Sequence, residues 1–126
     1  MDVRVVTKQM HAFLDYPVAL SLLTVPFLLQ LGSSNPLALW LAVGVGVAAL
    51  VLTVLTDHQL GVVRVLPYGF HLAVDGAVGV VFVLAPFALS FSGIDAWYYW
   101  LNGAAVLTVV SLHKPESAPV ESAVHG

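Results

Sequence analysis

Four long apolar runs, separated by short polar interruptions, dominate the pattern of the chain. They cover residues 10–31, 37–56, 68–91 and 96–112. As a helix, the 22 residues of the first run would extend about 33 Å, which is enough to cross the hydrocarbon core of a bilayer. The pattern therefore predicts an all-α protein with four transmembrane helices.

The interruptions between these runs have the composition of turns and loops. Residues 32–36 and 92–95 carry glycine, serine and proline or aspartate, which favour turns. Residues 57–59 end the second run, and the short apolar stretch 61–66 is predicted to lie at the membrane interface. Residues 114–126 are polar and contain two prolines, so we predict a disordered cytoplasmic tail.

The first half of the chain recurs in the second half after a shift of sixty residues. Twelve of the fifty pairs from Val3/Val63 to Leu52/Leu112 are identical, without a gap. A period of this length is typical of one structural unit used twice. We therefore predict a single membrane domain, residues 1–113, built from repeats at about 3–53 and 63–113. Each repeat holds two spans, so both should have the same orientation, related by an axis along the membrane normal.

Composition assigns the chain to the integral membrane proteins. Hydrophobic residues make up 60% of it and charged residues 9%, whereas soluble domains carry about 25% charged residues. The absence of cysteine excludes disulfides, thiolate metal ligands and thiol nucleophiles. No basic run suggests nucleic acid. The expected partners are membrane lipid and other membrane proteins or a second copy of the chain.

The basic residues predict the orientation of the spans. Arg4 and Lys8 precede the first span, Arg64 lies between the second and third, and Lys114 follows the fourth. The loops on the opposite side have no basic residue. Because basic residues concentrate on the cytoplasmic side, both termini are predicted to be cytoplasmic.

Several short segments of the chain form a distinctive set: TDHQLGVVRVLP at residues 56–67, HLAVD at 71–75, LSFSG at 89–93, Trp97 and Asn102-Gly103. Together these segments resemble the SPW-repeat family of small bacterial membrane proteins. At the triplet that names the family, this chain has VPF at 25–27 and APF at 85–87, keeping the proline but not the serine or tryptophan. The similarity covers roughly residues 8–113. It implies a multi-pass four-helix protein of the bacterial inner (cytoplasmic) membrane, and no catalytic residue follows from it.

Two matching pairs of ionisable residues are the most distinctive chemistry. His11 and Asp15 are four residues apart, as are His71 and Asp75. Residues at this spacing share one face of a helix. Ionisable side chains within spans tend to face the protein interior. With the repeat, this predicts one polar cluster of the four residues near the cytoplasmic ends of spans one and three.

The cluster is open to four interpretations. It can be a hydrogen-bonded network that fixes the packing of the two halves. It can bind a divalent metal, because histidine and carboxylate suit zinc, manganese or iron. It can hold a haem between two axial histidines, with Arg4, Lys8 and Arg64 placed to contact anionic propionate groups. It can also be part of a proton or ion relay.

The remaining histidines and the lack of catalytic motifs bear on the function of the protein. His58, His113 and His125 lie at span ends or in the tail and are predicted to be interfacial or solvated. No phosphate loop, nucleophile–base pair or HExxH motif is present, so we predict that the protein is not an enzyme. The expected function is a structural or accessory role, as a subunit or partner of a larger membrane complex. The alternative is a membrane module that binds a metal or haem.

Overall fold

The computed structural model describes residues 3–57 and 60–113 of the chain. It contains the helices α1 (Lys8–Leu28), α2 (Leu37–Leu55), α3 (Tyr68–Ala88) and α4 (Gly93–Ser111). The prediction of an all-α protein with four helices is confirmed. The predicted tail at 114–126 and the predicted positions of His58 and His125 lie outside the described residues.

Three of the helices are long and apolar enough to cross a membrane. The mean hydropathy is 1.3 for α1, 2.5 for α2 and 1.8 for α3. Large apolar side chains on these helices point outward; Leu28 is 79% exposed and Phe87 is 72% exposed. Such a surface is suited to lipid rather than to water. The membrane crossing of α4 stays a prediction.

Helices α1 and α3 end about three residues before the predicted span ends, and they end in the same way. Gln30 has φ 54° and Ser90 has φ 57°. The N–H of Leu31 donates to the carbonyl of Pro26 at 3.0 Å, and the N–H of Phe91 donates to the carbonyl of Pro86 at 3.0 Å. This left-handed cap satisfies a free carbonyl and turns the chain away from the helix axis.

Helix α4 begins at Gly93, three residues before its predicted start. The prediction that residues 93–95 belong to a turn is therefore wrong. Ser92 is extended (φ −138°) and α4 follows it directly, which places Asp95 in the first turn of the helix. The carboxylate of Asp95 is fully buried, so this turn is held by contacts with the rest of the protein.

The helices form two closely packed hairpins, α1 with α2 and α3 with α4. A Cβ added to Gly46 of α2 would lie 2.9 Å from Cβ of Leu22 in α1. A Cβ added to Gly103 of α4 would lie 3.0 Å from the carbonyl oxygen of Gly79 in α3. Small residues at these positions let the backbones approach. Packing between the two hairpins is looser, and cavities lie there.

The hairpins are joined at both ends. Where α1 and α3 begin, the N–H of Val6 donates to the carbonyl of Leu112 at 2.9 Å, and the N–H of Leu66 donates to the carbonyl of Leu55 at 2.8 Å. The segment before each odd-numbered helix thus pairs with the last helix of the other hairpin. These bonds hold the starts of α1 and α3 beside the ends of α4 and α2.

At the opposite end, the buried carboxylate of Asp95 holds the α1–α2 loop. It accepts hydrogen bonds from the N–H of Gly32 at 2.8 Å, the N–H of Ser34 at 3.0 Å and the hydroxyl of Ser34 at 2.5 Å. The Ser34 hydroxyl also accepts from the N–H of Ser92 at 3.1 Å. We call this group of Asp95, Gly32, Ser34 and Ser92 the Asp95 clasp.

Candidate functional site

The side chains of His11, Asp15, His71 and Asp75 meet between the two hairpins; we call them the His/Asp cluster. Nε2 of His11 lies 3.0 Å from Oδ1 of Asp15 and 2.7 Å from Oδ2 of Asp75. Nε2 of His71 lies 3.3 Å from Oδ2 of Asp15 and 3.3 Å from Oδ2 of Asp75. Each imidazole therefore contacts the aspartate of its own helix and that of the other hairpin.

The four members of the cluster are largely buried but differ in their exposed fraction. His11 is 4% exposed and His71 is 1% exposed. The Asp15 side chain is 9% exposed, whereas the Asp75 side chain is 21% exposed. Buried charges of this kind need partners at close range, and the alternation of imidazole and carboxylate provides them. Asp75 is the member most open to its surroundings.

A threonine orients one of the two imidazoles. Oγ1 of Thr56 lies 2.7 Å from Nδ1 of His71 and donates its own proton to the carbonyl of Leu52 at 2.5 Å. A hydroxyl has one proton to donate, so Nδ1 of His71 carries the proton of the 2.7 Å contact. The opposite nitrogen, Nε2, then faces the carboxylates with its lone pair or with a second proton. The sequence analysis did not single out Thr56.

A histidine and a tyrosine pack over the cluster at the end where α1 and α3 begin. Oη of Tyr68 lies 2.6 Å from Nε2 of His113. The His113 ring centroid lies 5.5 Å from that of His11, and the Tyr68 centroid lies 6.1 Å from that of His71. His113 is buried, at 8% exposure. The sequence analysis predicted His113 to be interfacial or solvated. Solvation is wrong, because the end of α4 packs against the start of α1.

Three basic residues were predicted to lie near the cluster as contacts for anionic groups. Nζ of Lys8 lies 4.9 Å from the Tyr68 ring centroid, a cation–π contact. Nε of Arg64 donates to the carbonyl of Gly61 at 3.3 Å. Arg4 lies in the exposed segment before α1. Their predicted contacts with propionate or other anionic groups stay a prediction.

Two cavities adjoin the cluster. The smaller, of about 210 Å³, is lined by all four members of the cluster, by Thr53 and Asn102, and by apolar side chains. The larger, of about 480 Å³, extends along α1, α2 and α3. Both are partly open to the outside of the protein. Four residues line both cavities: Val18, Ala49, Asp75 and Val106.

The arrangement suits a small cation better than a macrocycle. One ligand atom from each of the four residues lies within 4.8 Å of all the others, which is the scale of a single coordination shell. Oδ2 of Asp75 contacts both Nε2 atoms, so a haem between the two imidazoles would have to displace it. Comparison with protein-family models, with curated proteins and with solved structures found no match.

Proposed function

We propose that the chain is a small integral membrane protein that binds one divalent transition-metal ion at the His/Asp cluster. The observation that carries this proposal is the convergence of four ligand atoms within 4.8 Å. Two imidazole nitrogens and two carboxylate oxygens suit zinc, manganese or ferrous iron. The role is binding rather than catalysis.

The distances within the cluster are close to those that a metal needs. A tetrahedral ion with bonds of about 2.1 Å places neighbouring ligand atoms about 3.4 Å apart. Two of the contacts in the cluster measure 3.3 Å, and the shortest, between His11 and Asp75, measures 2.7 Å. Expansion by about 0.4 Å at the His11–Asp15 contact and about 0.7 Å at the His11–Asp75 contact would bring these distances to that separation.

The surroundings of His71 support the same proposal. Histidines that bind metals commonly donate their second ring N–H to a neighbouring acceptor, which fixes the tautomer and the ring orientation. The contact between Nδ1 of His71 and Oγ1 of Thr56 has this form. It leaves Nε2 to the cluster, where a cation can take its lone pair.

The proposal includes the finer membrane arrangement predicted from the sequence. In it, all four helices cross the bacterial cytoplasmic membrane as two parallel repeats, and both termini are cytoplasmic. The sixty-residue repeat, the positions of the basic residues and the resemblance to the SPW-repeat family support this arrangement. The cluster would then lie near the cytoplasmic face, where it can take metal ions from the cell interior.

Metal analysis of the purified protein tests the proposal. Protein in lipid nanodiscs should retain or take up about one equivalent of zinc, manganese or iron, as ICP-MS and calorimetry would measure. Both His11→Ala and His71→Ala should abolish this binding, because each removes one of four ligands and neither hairpin holds a complete site. His125→Ala is the histidine control. A correctly folded wild-type chain that takes up none of the three metals would refute the proposal.

A second candidate, the structural or accessory role, is favoured by a specific observation. Two of the four nitrogen–oxygen contacts, His11–Asp75 at 2.7 Å and His71–Asp15 at 3.3 Å, already link the hairpins without an ion. In this alternative the cluster is a hydrogen-bonded link, and the protein acts as a packed subunit of a larger membrane complex. This alternative would be supported if metal neither binds nor raises Tm, and if Asp15→Ala and Asp75→Ala each lower Tm.

A further inference from the structure

The larger cavity has the make-up of a ligand site for an apolar molecule with one charged group. Its volume of about 480 Å³ falls in the range of about 300–1,000 Å³ that is usual for small-molecule pockets. The described residues that line it are apolar, with Asp75 as the single charged member. A pocket of apolar walls with a few convergent polar groups is the usual form of a small-molecule site.

Asp75, which lines this cavity, has a carboxylate oxygen that no described residue uses. Its contacts with His11 and His71 are both made through Oδ2. Its Oδ1 accepts no hydrogen bond from the described residues, and the side chain is 21% exposed. Because Asp75 lines both cavities, this exposure is toward the cavity space. The two imidazoles offset part of the Asp75 charge through Oδ2, while Oδ1 keeps lone pairs that can face a cation where apolar walls screen it little.

An aromatic side chain favours the same charge. Phe70 lines the larger cavity one turn before Val74 and Asp75 on α3. The face of an aromatic ring attracts a cation within about 6 Å of its centroid. The described lining of the larger cavity contains neither lysine nor arginine, so an anionic ligand would find no opposite charge there.

We propose that the cavity between the hairpins binds a lipid-soluble organic cation, with its charge at Oδ1 of Asp75 and its apolar body against α1, α2 and α3. A ligand of this class carries one positive charge spread over aryl or alkyl groups. It can enter from the surrounding lipid, because the cavity is partly open between the helices. A divalent metal ion bound to the same carboxylate would repel the organic cation, so the metal-free protein is the form that should bind it.

Binding of tetraphenylphosphonium tests the proposal. Chelator-treated protein in nanodiscs should bind radiolabelled tetraphenylphosphonium saturably, above the partitioning measured in empty nanodiscs. Tetraphenylborate has nearly the same shape and the opposite charge, and it should neither bind saturably nor compete. Because the protein is free of metal in this assay, the outcome is separate from that of the metal analysis.

Two variants locate the site. Asp75→Asn removes the charge with little change in volume and should weaken tetraphenylphosphonium binding by about tenfold or more. Ala49→Phe fills the space shared by both cavities and should abolish binding. Val47→Phe is the matched control; Val47 lies on the same helix, is 52% exposed and lines neither cavity.

The outcomes separate clearly. Unchanged affinity in folded Asp75→Asn, or saturable binding of the borate with equal affinity, overturns the proposal. If Asp75→Asn does not fold, Ala49→Phe against Val47→Phe decides: equal binding in these two variants places the cation outside the cavity and rejects the site. Loss in Ala49→Phe with wild-type binding in Val47→Phe supports it.

Discussion

The hydroxyl of Thr56, just after α2, lies 2.7 Å from Nδ1 of His71 in α3. This contact joins the first hairpin to the second and at the same time sets the direction of an imidazole in the cluster. The hydroxyl is held in turn by its bond to the carbonyl of Leu52. The orientation of His71 therefore depends on a residue that is itself not a candidate ligand.

Thr56→Val should lower the metal affinity of the cluster by about 10–100-fold, the usual effect of removing a group that orients a ligand. Valine preserves the shape but cannot accept the Nδ1 proton of His71. Calorimetric titration with zinc measures the change. Thr108→Val is the control, since Thr108 makes the same bond to the carbonyl four residues earlier, at 2.7 Å, and is exposed. Equal affinities in the two variants would contradict the role of Thr56.

His11 and Asp75 should be energetically coupled in the metal-free protein. Each single change to alanine leaves the other group without its closest partner, at 2.7 Å, which costs about 1–3 kcal/mol. The double variant should cost less than the sum of the two, with a coupling of about 0.5–3 kcal/mol. Unfolding in detergent with a chelator present measures all four corners of the cycle. Strictly additive effects would mean that this contact does not hold the hairpins together.

Asp95→Ala should strongly destabilise the protein. The change removes the acceptor of three part-buried hydrogen bonds from Gly32 and Ser34, and a hydrogen bond to a charged group contributes about 1.5–3 kcal/mol. The drop in Tm should be large by comparison with that of Asp57→Ala, because Asp57 is exposed. Similar values of Tm for the two variants would show that the clasp contributes little.

Gly46→Ala and Gly44→Ala should change stability in opposite directions although they are two residues apart on α2. A Cβ at position 46 would lie 2.9 Å from Cβ of Leu22, whereas nothing lies within 4 Å of a Cβ at position 44. Overpacking costs about 1–3 kcal/mol, and the helix propensity of alanine recovers up to about 1 kcal/mol. Thermal unfolding measures the Tm of both variants. A loss of Tm in Gly44→Ala equal to that in Gly46→Ala would contradict this prediction.

Reporter fusions test the proposed topology. Alkaline phosphatase fused after Ser34 or after Ser92 should be active, because both loops are expected outside the cytoplasm. Green fluorescent protein fused after Lys114 should fluoresce, because it should remain inside. An active phosphatase at Lys114 would reverse the orientation and place the His/Asp cluster at the outer face.

Helical periodicity and the sixty-residue repeat were sufficient to predict the four helices and to select the four residues of the cluster. A spacing of four places His11 and Asp15 on one face, and the sixty-residue shift points to His71 and Asp75 as their counterparts. Neither signal depends on the conformation of a loop. These features follow from the regular geometry of helices.

The features that the sequence analysis missed depend on chain segments without a period. Thr56 reaches His71 only because the chain turns back after α2, and Asp95 was assigned to a turn because it follows Ser92 and Gly93. One signal was present: Asn35 occupies the repeat position that corresponds to Asp95, and both are polar. Gln30 at a left-handed cap could not be foreseen, because glutamine does not favour positive φ.

The Asp95 clasp can form only late in the synthesis of the protein. The loop that it holds is synthesised well before its acceptor, since Ser34 precedes Asp95 by 61 residues. At about 5–20 residues per second, a ribosome needs about 3–12 seconds to make that stretch. During this interval the N–H groups of Gly32 and Ser34 lack the carboxylate that accepts their hydrogen bonds in the folded protein. The clasp forms once α4 brings Asp95 to the α1–α2 loop. A nascent chain that stalls before residue 95 therefore presents this loop without its acceptor to the proteases of quality control.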